Sequence, residues 1–169
     1  MKVLAIDPGN VKSAYVLMDT DTFRPVDFGL MENEGLRSYL RQMPFQEEDK
    51  AAIEMVASYG MAVGREVFDT VRWIGRFEET LTRRLLLPPA LIYRMDEKTH
   101  ICHDSRAKDA NIRRALIDRF ALHDKARGTG TKKKPDWFYG FRRDIWAAYA
   151  VGLTYIETKL EKEDVCQTF

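Results

Sequence analysis

The chain has 169 residues, 45% of them hydrophobic, which is enough to bury one proper core and leaves no room for a second full domain. Its 27 Lys+Arg against 26 Asp+Glu leave almost no net charge, so no global field directs it to nucleic acid or to membrane, and local charge must decide. Two cysteines, Cys102 and Cys166, suit a reducing cytoplasm rather than a disulfide framework. The start carries no signal-peptide pattern and no apolar run nears the ~20 residues of a membrane span, so a soluble, cytoplasmic protein is expected.

In chain order, Val3, Ala5 and their neighbours form a buried strand that ends on Asp7 and the turn sequence Pro8-Gly9. "SAYVLMD" alternates as the second arm of a hairpin, "PVDFGLM" is a third strand, and "EGLRSYLRQM" has helical spacing at Leu36, Leu40 and Met43. "DKAAIEMV" reads as a strand interrupted by Glu54. From about Val63 to Leu87 a long helix carries Val67, Val71, Ile74, Leu81 and Leu85 along one stripe, ended by Pro88-Pro89. Phe68, Trp73 and Phe77 lie off that stripe and are expected to face water or a partner.

"ALIYRMD" is expected to be a short strand, and "AKDANIRRALIDRFAL" an amphipathic helix burying Ile112, Leu116, Ile117 and Phe120. Residues 122–143 read as a basic mobile loop whose cations are interleaved with Trp137, Phe138, Tyr139 and Phe141, a mixture suited to binding phosphate and to stacking on exposed bases. A last helix, "DIWAAYAVGLTYIETKLE", opens at Asp144, and residues 158–169 are expected to fray. The order predicts a single α/β domain, a mixed sheet flanked by helices.

Three carboxylates begin or interrupt apolar elements: Asp7, Glu54 and Asp144. Singly, each has an ordinary explanation: a turn opener, an edge-strand charge, a helix N-cap. Together they are the oxygen set that Mg²⁺ or Mn²⁺ requires, and such ions activate water for phosphodiester cleavage. His100, Cys102, His103 and Cys166 lack zinc-type pairing, since "HICH" is expected to alternate along a strand.

The ordered set "LAIDPGN", "SAYVLMD", "AAIEMVASYGMAVGREVFDTVRWIGRFEE", "YRMDEKTHICHDSRAKDANIRRAL" and "DIWAAYAVGLT" resembles the RuvC-type Holliday-junction resolvases of the ribonuclease H-like superfamily. The resemblance spans Lys2 to about Glu157. It implies a ribonuclease H-like fold, a Mg²⁺- or Mn²⁺-dependent DNA endonuclease acting on four-way junctions, and a homodimer that makes paired symmetric nicks. It implies that Asp7, Glu54 and Asp144 bind metal and that Lys98 acts beside them on the phosphate. Lys108, Lys132, Lys133, Lys134, Arg142, Arg143, Tyr59 and Arg65 would contact DNA, with Tyr59 and Met61 near a loop entering the junction centre. One position departs from the family: Ala147 stands where a second helix acid is usual, so Asp136 or Asp104 is a candidate to contribute from a loop. The rival functions are a non-catalytic junction binder, a nuclease of the same fold acting on flap DNA or structured RNA, and an actin-like kinase half, which would need a second lobe.

Overall fold

The computed structural model describes residues 1–58, 60 and 62–160. Five strands form one sheet: β1 (Lys2–Asp7), β2 (Lys12–Asp19), β3 (Pro25–Glu32), β4 (Lys50–Met55) and β5 (Ala90–Tyr93). They lie in the order β3-β2-β1-β4-β5, the first three antiparallel and β1, β4 and β5 mutually parallel. The helices are α1 (Asn33–Gln42), α2 (Arg65–Leu85), α3 (Arg94–Cys102), α4 (Asp109–Phe120) and α5 (Ile145–Tyr155), the last continuing as a π-helical turn, Ile156–Leu160.

Side chains alternate across a strand, so each strand feeds two cores. Leu4, Ile6, Ile53 and Leu17 pack with Leu36 and Leu40 of α1 and with Ile74, Phe77 and Leu81 of α2. Val3, Ala5, Ala52 and Ile92 face the other way, onto α4 and α5. Helix α5 is buried on almost every side, which is why its sequence is apolar all round. It lies so close to the sheet that a Cβ at Gly152 would come within 2.5 Å of Met18 Sδ and 3.0 Å of Ala5 Cβ.

Several expected details change. The inward stripe of α2 is Thr70, Ile74, Phe77, Leu81 and Leu85; Val71 is exposed, and Phe77 is wholly buried instead of facing out. Phe68 does face out and Trp73 is half-buried. Strand β5 stops at Tyr93, and "RMDEKTHIC" is helix α3, so His100 and Cys102 lie on a helix and do not alternate along a strand. His103 ends that helix with a left-handed backbone, φ 54°. The chain stays packed past Thr158 as far as buried Leu160, while Cys166 lies outside the described residues.

The basic segment 122–143 is rooted in the core. Phe138 and Phe141 are buried between α4 and α5, and Trp137 stacks on Phe120, so three of its four aromatic rings are unavailable for base stacking; only Tyr139 is exposed. The root is Asp136. Its carboxylate accepts backbone N–H bonds from Leu122 (2.8 Å), His123 (2.9 Å), Asp124 (2.5 Å) and Trp137 (2.7 Å). Against the desolvation of its burial, those donors hold its carboxyl well below the ordinary aspartate range. Asp136 is therefore committed to the backbone and is not a metal ligand.

Replacing Asp136 with Ala should cost about 3 kcal/mol in denaturant unfolding at neutral pH, because several buried N–H groups lose their acceptor at once. Because its folded pKa is depressed, this contribution is present above the ordinary aspartate pKa. It fades as pH falls through the folded value, so wild type and variant should converge in strong acid.

Candidate active site

The register of the sheet builds the site. Ile6 pairs with Ile53 between the parallel strands β1 and β4, which makes Asp7 and Glu54 the next neighbours in step at the strands' C-terminal ends. Both follow the parity of Ala5 and Ala52 and so face the α3–α5 side of the sheet. In open α/β sheets this end of the parallel strands is where ligands bind. Asp144 comes to the same end from the start of α5, and α3 begins there, directly after β5.

The turn after Asp7 is held by a buried network. Gly9 N–H donates to Ser13 Oγ (3.1 Å), Ser13 donates to Asn33 Oδ1 (2.7 Å), and Asn33 Nδ2 donates to the Gly9 carbonyl (2.9 Å). A Cβ at Gly9 would sit 2.3 Å from the Lys12 carbonyl oxygen, which explains the glycine. Asp-Pro-Gly is thus both a turn and the device that ends a buried strand on a carboxylate.

Burial above all, then the charge of Glu54, a hydrogen bond shared with it, and the charge of Asp144 push the Asp7 carboxyl well above its usual range. Burial likewise raises Glu54, opposed by the cations Arg94 and Lys98. The nearness of two half-buried carboxyls thus favours the protonated form of Asp7, and a cation between them would relieve the same cost. Asp144 makes no side-chain cap on α5 and is left to act on Asp7.

Sequence reasoning missed Glu97 and Arg94. Glu97 on α3 is 0% exposed. Its Oε2 accepts from Arg94 Nη1 at 2.5 Å, while its Oε1 is buried with no hydrogen-bond partner. Arg94 also donates to Asp109 Oδ1 at 2.5 Å and acts on Glu54. Burial, then Glu54, raise the Glu97 carboxyl well above its usual range. Read as a helix from Arg94, the segment would have shown Glu97 sharing a face with Arg94 and Ile101; the strand reading of residues 90–96 broke that pattern.

The other expected residues divide. Lys98 is half-buried on α3 and within electrostatic reach of Glu54. Arg142 and Arg143 are exposed immediately before Asp144. Lys132, Lys133 and Lys134 are exposed on a tight turn closed by Thr131 N–H to the Lys134 carbonyl (2.9 Å). Lys108 is exposed at the start of α4, and Arg65, 94% exposed, pairs with Asp69 at 3.7 Å. Asp104 is at the surface beside Arg106 and is not gathered into the acidic centre. Tyr59 and Met61 lie outside the described residues. A cavity of about 270 Å³ beside the acids is lined by Glu54, Met55, Val56, Val63, Val67 and Arg94.

Among the described residues no three Asp, Glu, His or Cys side chains form a ready-made metal cage. The donor chemistry nonetheless fits a hard divalent cation: oxygen donors only, a carboxyl pair needing positive charge between its members, and an orphaned carboxylate oxygen at Glu97.

No family model and no curated protein matches the sequence. Among solved structures the chain is similar to Thermus thermophilus RuvC, with a TM-score of 0.68 at 13% identity, covering 95% of this chain and 97% of that one. It is similar also to T. thermophilus RuvC in complex with Holliday junction substrate, with a TM-score of 0.67 at 13% identity, covering 95% and 96%. The fold is therefore the RuvC-type, ribonuclease H-like one expected from the motifs.

The raised carboxyls give a pH signature. A group that holds its proton more tightly when folded stabilises the fold below that pKa and loses the advantage as pH rises through it. Asp7→Asn should therefore raise the melting temperature of the metal-free protein more at about pH 7.5 than near pH 4, where wild-type Asp7 is protonated anyway. A melting series in chelator at both pH values checks this.

Proposed function

We propose that this chain, whose fold is that of RuvC, is a Mg²⁺- or Mn²⁺-dependent DNA endonuclease that cuts branched DNA, with the four-way junction as its substrate. The observation that supports this most is the in-register pair Asp7 and Glu54, joined by Asp144, at the C-terminal ends of the parallel strands. Asp7, Glu54 and Asp144 would hold the cation. When bound, it supplies the charge that lowers the pKa of water and stabilises the departing oxygen of a phosphodiester.

The protein's own groups do the rest. Asp7 and Glu54 would present their oxygens to the cation, whose charge would relieve the repulsion between them. Lys98, within electrostatic reach of Glu54, sets a positive charge against the scissile phosphate, and Arg142 and Arg143 flank Asp144 to hold the strand. Lys108 and the Lys132–Lys134 turn bind backbone phosphate away from the acids, and Arg65 does so at the head of α2. Two symmetric cuts call for two copies related by a two-fold axis. The outward face of α2, with Phe68 61% exposed and Val71 39% exposed, is the surface offered to the second copy.

The single helix acid, with Ala147 one turn after Asp144, favours one other reading, a junction-binding protein without cutting activity. The two are separated on a labelled synthetic four-way junction. Wild type with Mg²⁺ should give paired nicks placed symmetrically across the junction. Asp7→Asn and Glu54→Gln should each lower cutting by at least roughly 10³-fold while binding in gel shift stays within about threefold, because they remove cation ligands and leave every phosphate-binding cation in place. Cutting by either variant at the wild-type rate would remove that residue from the site, and binding without any cutting by wild type would leave the non-catalytic reading.

The basic turn has its own test. Replacing Lys132, Lys133 and Lys134 together with Gln should weaken junction binding and flatten its salt dependence by about one unit of slope for each DNA phosphate that is no longer neutralised. An unchanged slope would show that the turn is only a solvated surface.

A further inference from the structure

We propose that Glu97 is a cation ligand of this centre, supplying from α3 the carboxylate that α5 lacks at Ala147. The inference deepens the metal-dependent reading above and rests on it. Glu97 is the most deeply buried acid of the cluster, 0% exposed, and its Oε1 has neither a protein donor nor solvent. A buried carboxylate oxygen without a partner is costly, and one retained in a folded protein has a use such as a bound ion.

The way Arg94 holds Glu97 argues against a purely structural ion pair. A guanidinium that neutralises a buried carboxylate frequently engages both oxygens with its fork. Arg94 instead splits the fork, giving Nη1 to Glu97 Oε2 and Nη2 to Asp109 Oδ1, each at 2.5 Å. One oxygen of Glu97 is thereby oriented and the other left free. The charges that act on Glu97 include Glu54 and Asp7, so it stands in the same field as the strand pair. Supporting groups that fix a ligand's orientation while leaving its donor atom open are the ordinary second layer of a metal centre.

Glu54 and Asp144 act on Asp7, and Glu54 and Asp7 act on Glu97, against only Lys98 and an Arg94 already shared with Asp109, an acidic excess that divalent charge would offset. Position 147 is half-buried one helical turn after Asp144, where a carboxylate would point to the same place. Glu97, on α3 and in the field of Asp7 and Glu54, would offset the absence of an acid at 147 without changing the number of oxygen-bearing side chains.

The test reads cation binding in the absence of DNA. Wild type, Glu97→Gln and Asp7→Asn are titrated with Mn²⁺ by calorimetry, and melting temperatures are recorded with and without Mn²⁺. Glu97→Gln keeps an oxygen for Arg94 and should still fold, with some loss of metal-free stability as the ion pair is weakened, yet bind Mn²⁺ roughly tenfold or more weakly and gain less stability from it. Adding Ala147→Asp to Glu97→Gln should recover most of the missing affinity; no recovery would overturn the exchange of positions. Wild-type Mn²⁺ affinity in Glu97→Gln, with Asp7→Asn impaired, would overturn the role of Glu97 and leave the nuclease reading standing. Absence of Mn²⁺ binding by wild type would overturn both. If Glu97→Gln does not fold, Glu97→Met is put through the same titration, and wild-type affinity there would overturn the role equally.

Discussion

The parallel pairing of β1 with β4 positions everything else in the molecule. With Ile6 opposite Ile53, the two strands deliver Asp7 and Glu54 side by side, and a slip of one residue would turn one of them toward α1 and α2. The fold accepts the repulsion because the apolar residues behind each acid are locked in two cores at once. Burial on both faces fixes the register, and the register fixes the acids. The Gly9–Ser13–Asn33 network then keeps the chain from relaxing at the point where it leaves the sheet.

The architecture was legible because its signals are periodic. Alternation in "SAYVLMD", helical spacing in "EGLRSYLRQM" and acids set in apolar strands each carry their own physics, and their order led to the RuvC-type fold found in the structure. Reading failed where a short apolar run was followed by polar residues. Four residues of β5 pass into α3 without a break, and the strand expectation ran over Arg94 to Asp96 and left Glu97 unassigned, which concealed the most buried acid of the site. Composition misled in the basic segment too: aromatics among lysines suggested base stacking, yet Phe138 and Phe141 are core residues and Asp136 is the anchor of the segment. A single sequence shows which residues are near in number, whereas this packing joins α4, the segment and α5 across the fold.

Charge in this protein is local on a nearly neutral chain. The candidate-site acids gather at one end of the sheet, Glu97 buried, Asp7 and Glu54 half-buried and Asp144 exposed, while the lysine turn and the Arg142–Arg143 pair are exposed. Acids with raised pKa values gain from a cation and exposed cations gain from phosphate, so under the proposed function cutting and holding would fall to groups with opposite salt behaviour.

Under the proposed function a cation is held between Asp7 and Glu54, and diffraction from crystals soaked in Mn²⁺, collected where manganese scatters anomalously, tests this directly. An anomalous peak is expected in direct coordination with carboxylate oxygens of both Asp7 and Glu54, with their mutual hydrogen bond broken. Manganese absent from that position, with the two carboxyls still hydrogen-bonded to each other, would contradict the shared site.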